Sequence, residues 1–67
     1  MEKLTRWVIQ DIKTGHYVNE DMETGYVDDV CRATFFRFKR EVVQNIRENE
    51  STDKEKAVKV ILHVFPS

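Results

Sequence analysis

LTRWVIQDIKTGHYV, residues 4–18, decides the fold. Thr5, Trp7, Val8, Ile9 and Ile12 are β-formers and predict a first strand over 4–12. On such a strand Trp7 and Ile9 project to one side, Val8 and Gln10 to the other. The run is broken by Asp11-Ile12-Lys13-Thr14-Gly15. Aspartate accepts hydrogen bonds from the backbone just ahead of it, and glycine takes positive φ without steric cost. That is the chemistry of a hairpin loop built on a type I turn. Residues 15–19, with Tyr17 and Val18, then return as a second strand.

The turn recurs. Asp11-x-x-Thr14-Gly15 is matched ten residues on by Asp21-x-x-Thr24-Gly25, and each leads into Tyr-Val, at 17–18 and 26–27. Two units are too few for a solenoid and read as successive turns of a meander. Residues 24–28 become a short third strand or extended loop, and 31–36, CRATFF, an extended lead-in.

From Arg37 the period changes. Phe38, Val42, Val43 and Ile46 recur at helical spacing, with Lys39, Arg40, Glu41, Gln44, Asn45 and Arg47 on the other face. This predicts an amphipathic helix over 38–49. Thr34 is the nearest N-cap candidate and would start the helix early. ENESTDKEK, 48–56, holds no apolar residue. Its Thr52-x-x-Glu55 has the form of a capping box, but β-branched alternation follows it, so the match reads as coincidence.

The last strand is predicted over 58–64. Val58, Val60, Leu62 and Val64 form one face and are expected to meet Phe38, Val42 and Ile46 of the helix. Lys59, Ile61 and His63 form the other face. The expected fold is a single α+β domain over 1–67, β-β-(β)-α-β. A small antiparallel sheet of three to four strands carries one helix packed on one face.

Composition narrows the function classes. The chain has 67 residues, 11 Lys+Arg, 12 Asp+Glu and one cysteine. One cysteine excludes an intrachain disulfide framework and a multi-cysteine zinc site. No apolar run approaches the roughly 18 residues of a membrane span, and MEKLTRW lacks the apolar core of a signal peptide. A cytoplasmic protein with no membrane association is expected. A core of this size rarely supplies more than about 3–5 kcal/mol without a staple or partner, so self-association as a homodimer is a physical expectation.

No GxGxxG, P-loop or HExxH occurs. Cys31 is the sole thiol, and its spacing to His16 and His63 is not diagnostic of nucleophilic catalysis. Cys31 reads as a small buried hydrophobe, His16 as an exposed hairpin residue, and His63 as a solvated or interface residue. No enzyme, cofactor or metal is expected.

Charge is segregated. Residues 11–30 sum to −5, with Asp21, Glu23, Asp28 and Asp29 near the turns; residues 31–47 sum to +4 through Arg32, Arg37, Lys39, Arg40 and Arg47. The acidic set spaces as no calcium loop does, but could occupy a basic groove on a protein partner. The basic set interleaves with Phe35, Phe36 and Phe38, the combination that nucleic acid requires. Phe35 and Phe38 are expected in the core, and an outward Phe36 beside Arg37 and Arg40 would favour nucleic acid. A sheet covered on one side leaves its other face open, and there Trp7, Ile61 and Phe65 would form an apolar partner surface.

The runs WVIQDIKTGHYVNED (7–21), TGYVDD (24–29) and ATFF (33–36), followed by a charged helix with a Lys39-x-x-x-Val43 step, resemble small uncharacterised proteins of phages and prophages of Gram-positive bacteria. The resemblance covers residues 7–43 and rests on turn and strand motifs. Where its pattern has Asp or Ser after the phenylalanines, this chain has Arg37, which leaves the helix boundary open. The resemblance brings no catalytic residue. It implies an accessory protein that binds and modulates a host component. The reading is therefore a non-enzymatic protein-binding module using Trp7, Ile61, Phe65 or the acidic residues Asp21, Glu23, Asp28 and Asp29. The alternative is a nucleic-acid binder using Arg32, Phe36, Arg37, Lys39, Arg40 and Arg47.

Overall fold

The computed structural model describes residues 2–64. Strand β1 runs Glu2–Asp11, β2 Tyr17–Val18 and β3 Tyr26–Val27; a 3-10 turn at Val30–Arg32 and helix α1 at Lys39–Glu48 precede strand β4 at Glu55–Val64. The four strands form one antiparallel sheet in the order β3-β2-β1-β4. This is the expected α+β architecture with one helix on one face.

The two turns form for the anticipated reasons, with one exchange of roles. The Asp11 carboxylate accepts from the backbone N–H of Lys13 and Thr14, both at 2.9 Å. Those bonds to its charged form hold the Asp11 carboxyl below its ordinary value of 3.8. In the second turn Asn19 Oδ1 does the corresponding work, accepting from Asp21 N–H at 2.9 Å. Gly15 and Gly25 both adopt left-handed φ, 80° and 78°.

β1 and β4 pair over ten residues without a bulge, from Glu2 opposite Val64 to Asp11 opposite Glu55. Trp7, Ile9, Ala57, Lys59 and Ile61 therefore share one face, and Val8, Val58, Val60 and Leu62 the other. Val42 and Ile46 of α1 pack on Ile9, with Trp7, Val18, Phe36 and Ala57 around them. Val58 and Val60 do not meet the helix. They pack with buried Val8, Val27 and Ala33 on the opposite face, beneath the 27–33 segment. The expectation that Val58, Val60, Leu62 and Val64 face the helix is thus overturned. The sheet has two apolar faces, and the chain covers each with a different segment, so the non-helical face is not open over the body of the domain.

Phe35 and Phe38 are exposed, contrary to the expectation that both lie in the core, while Phe36, whose direction the sequence left open, is half-buried against the helix-side core. An isolated bridge sets this parity. Trp7 N–H donates to Phe36 C=O at 2.7 Å, and Phe36 N–H to Trp7 C=O at 2.8 Å. Thr34 caps no helix: its N–H donates to Val18 C=O and its Oγ1 accepts from Glu20 N–H. Phe38 occupies the N-cap of α1 without a side-chain hydrogen bond.

The helix C-terminus is closed by a Schellman arrangement. Glu50 N–H donates to Arg47 C=O and Ser51 N–H to Ile46 C=O, both at 3.0–3.1 Å. Glu50 stands at the left-handed position, φ 54°. Glu55 belongs to no helix cap. It opens β4, and its carboxylate accepts from Ser51 Oγ at 2.6 Å.

Candidate binding surface

A ten-residue helix is about 15 Å long, and a ten-residue strand about 33 Å. One helix therefore covers only part of the β1–β4 pair. α1 and the 27–33 segment cover the stretch from residue 7 of β1 inward, together with the facing part of β4. Past that point the two strands continue as a ribbon, and the molecule extends 40 × 24 × 19 Å. At the ribbon's end Leu4 lies opposite Leu62, Thr5 opposite Ile61 and Glu2 opposite Val64. Ile61 is 51% exposed, Val64 38% and Leu4 37%. Leu62 is half-buried.

The outer side of β4 is the sheet's edge. The direction of its backbone groups follows from the bridge at Trp7. Trp7 sends both its N–H and C=O to Phe36, away from β4, so Trp7–Lys59 is a non-hydrogen-bonded pair of the β1–β4 ladder. Lys59 must then turn its own N–H and C=O outward, and by alternation so do Ala57 and Ile61. β4 thus offers an apolar ribbon end and a row of backbone donors and acceptors along one line. This is what an added strand recognises.

The other sequence candidates divide clearly. Trp7 belongs to the helix-side core, with Lys39 Nζ 5.6 Å above its ring. It shares a face with Ile61, but on the covered part of the sheet. Phe65 lies outside the described residues. Asp21, Glu23, Asp28 and Asp29 are all exposed. Asp29 is occupied in capping the 3-10 turn, where its carboxylate accepts from Cys31 N–H at 2.9 Å. Among the described residues no group of three or more His, Cys, Asp or Glu side chains could hold a metal. Cys31 is exposed, contrary to the buried expectation, because the 3-10 turn carries it on the outside of the 27–33 segment. His16 and His63 are exposed.

Of the basic candidates, Arg32, Arg37, Lys39, Arg40 and Arg47 are exposed. Lys39, Arg40 and Arg47 line a shallow groove on α1 with Val43 and Gln44. Arg40 Cζ sits 4.7 Å over the Phe38 ring. Phe36, turned inward, takes no part. A second concavity lies between Tyr26, Ser51 and Glu55. Tyr26 Oη donates to the Glu55 carboxylate at 3.4 Å, and burial together with that carboxylate pushes the phenol up. The arrangement fixes Glu55 between Ser51 and Tyr26.

Leu4, Leu62 and Val64 are the surface residues that sequence reasoning did not assign to a surface. The alternation in 58–64 places Leu62 and Val64 under the helix. The length mismatch between helix and strand was the signal that would have exposed them. Among the described residues no helix is long and apolar enough to cross a membrane. Comparison with family models, curated protein sequences and solved structures returned no match.

Proposed function

We propose that this chain is a non-enzymatic protein-binding module, a cytoplasmic accessory protein of the phage or prophage kind that modulates a host factor. Its binding surface is the β4 edge with the ribbon end, Leu4, Ile61, Leu62 and Val64. The single observation behind this reading is Ile61: a large aliphatic side chain half out in solvent beside an open strand edge. Isolated exposed apolar residues mean little, but here Leu4 and Val64 on one face and Ile61 on the other, with half-buried Leu62, gather on one short ribbon.

The test is affinity capture from bacterial host lysate with tagged chain, with and without nuclease, at low and high salt, alongside Ile61→Lys. A defined protein band that survives nuclease and salt and is lost in Ile61→Lys supports the reading. A band indifferent to Ile61→Lys overturns the assigned surface. The second reading, nucleic-acid binding on α1, is favoured by the Arg40–Phe38 stack beside Lys39 and Arg47. It requires recovery of nucleic acid, steep loss with salt and loss in Arg40→Glu.

A further inference from the structure

We infer that the β4 edge is completed by a second copy of this chain, β4 pairing antiparallel with its twofold mate in the register centred on Val60. The inference rests on the surface assigned under Proposed function and names a second copy as the resting occupant of that edge, which a host factor would displace on binding.

Edges of stable monomers are blunted by proline, bulges, short length or charged side chains, lysine above all. β4 has ten residues, no proline, no glycine and an unbroken register with β1. Its only edge cations are Lys56 and Lys59. An isologous pair across a twofold axis must match outward-facing residues with outward-facing residues. Opposed residues therefore have the same parity, and this leaves few registers.

Two of them pair nine residues of each strand. The register centred on Lys59 sets Lys59 against Lys59 of the other copy, a like-charge contact that destabilises. The register centred on Val60 sets Lys59 against Ile61, Val58 against Leu62, Lys56 against Val64 and Val60 against itself. No cation then opposes a cation, and the half-exposed Ile61 gains the Lys59 methylenes as cover. The antiparallel direction also lays each ribbon end, 61–64, beside 56–59 of the other copy, where α1 and the 27–33 segment make the domain thickest. The product is a continuous sheet of eight strands with both helices on one face. A 67-residue chain with no intrachain disulfide gains burial that its small core does not supply.

The register is tested by cross-linking in a Cys31→Ser background. Val60 faces Val60 in a non-hydrogen-bonded pair, where Cα atoms approach within disulfide reach. Val60→Cys is expected to form a disulfide-linked dimer under mild oxidation. Lys59→Cys alone and Ile61→Cys alone stand diagonally across the axis and are expected to cross-link poorly; mixed together they are expected to cross-link. Sedimentation of the wild type is expected to give twice the 8.0 kDa chain mass as concentration rises. Ile61→Pro removes an N–H that β1 does not use, so the circular dichroism spectrum is retained while association weakens about tenfold or more.

A monomer at every concentration overturns the inference. So does a dimer indifferent to Ile61→Pro, or one that Val60→Cys fails to trap. If the monomer still captures a host protein through Ile61, only the self-pairing has failed. If it captures nothing, the functional reading fails with it.

Discussion

Replacing Val42 by alanine probes which face of the sheet the helix covers. Val42 is wholly buried, packed with Ile9 and Ile46. The substitution removes two methylene equivalents, about 1.6 kcal/mol of transfer free energy at ~0.8 kcal/mol each. The cavity left behind adds on the order of 1 kcal/mol, for a total of about 2.5 kcal/mol. Against the roughly 3–5 kcal/mol available to a domain this small, that brings the variant close to its unfolding midpoint. Val43, the next residue, is only half-buried, and Val43→Ala is expected to cost under about 1 kcal/mol. The decisive form is a pair of double-mutant cycles. Val42→Ala with Ile9→Val shares a cluster and should show coupling of about 0.5 kcal/mol or more. Val42→Ala with Val58→Ala spans the sheet and should add within about 0.5 kcal/mol. Urea unfolding followed by Trp7 fluorescence and far-ultraviolet circular dichroism measures each, with an osmolyte in every sample to keep the doubles folded. Strong coupling of Val42 to Val58, with simple additivity toward Ile9, would refute the face assignment.

Three further outcomes are expected. Glu50→Gly relieves a left-handed φ of 54° at the helix C-cap and should raise stability by about 0.5–1 kcal/mol, read as a higher urea midpoint. The Asp11 carboxyl is held below 3.8 by backbone hydrogen bonds, so the stability it contributes is complete above that value and is lost as pH falls through the lower folded value; Asp11→Asn should flatten this acid-side slope, and a carboxyl NMR titration should show the depressed midpoint directly. Titration of a labelled single-stranded oligonucleotide at low salt should give no saturable binding, whereas saturable binding abolished by Arg40→Glu would move the function to the α1 groove.

What was legible in the sequence was local. Asp11, Gly15 and Gly25 announce their turns through chemistry confined to a few residues, and the spacing of Val42 and Ile46 announces the helix. The strand pattern at 58–64 was also plain, though β4 begins three residues earlier, at Glu55. What was not legible depends on contacts distant in sequence. Alternation in β4 defines two faces but does not say which one a helix takes. The valine face is the more apolar, yet Val8, Val27 and Ala33 claim it through a segment that shows no strong periodicity of its own. The parity of Phe35, Phe36 and Phe38 likewise depends on one bridge, Phe36 to Trp7, and a slip of one residue would exchange the buried ring for its neighbours. The acidic residues near the turns were visible as charge, but Asp29's employment as a cap was not.

Residue-resolved amide hydrogen exchange along β4 tests most directly whether its edge is the working surface. In dilute protein, Val58, Val60 and Leu62, bonded to β1, should exchange slowly, while Lys59 and Ile61, turned outward, should exchange fast. On concentration Lys59 and Ile61 should gain protection, while the exposed residues of α1 should not change. Fast exchange at Lys59 and Ile61 under both conditions, with new protection instead at Lys39, Arg40 and Arg47, would contradict the account.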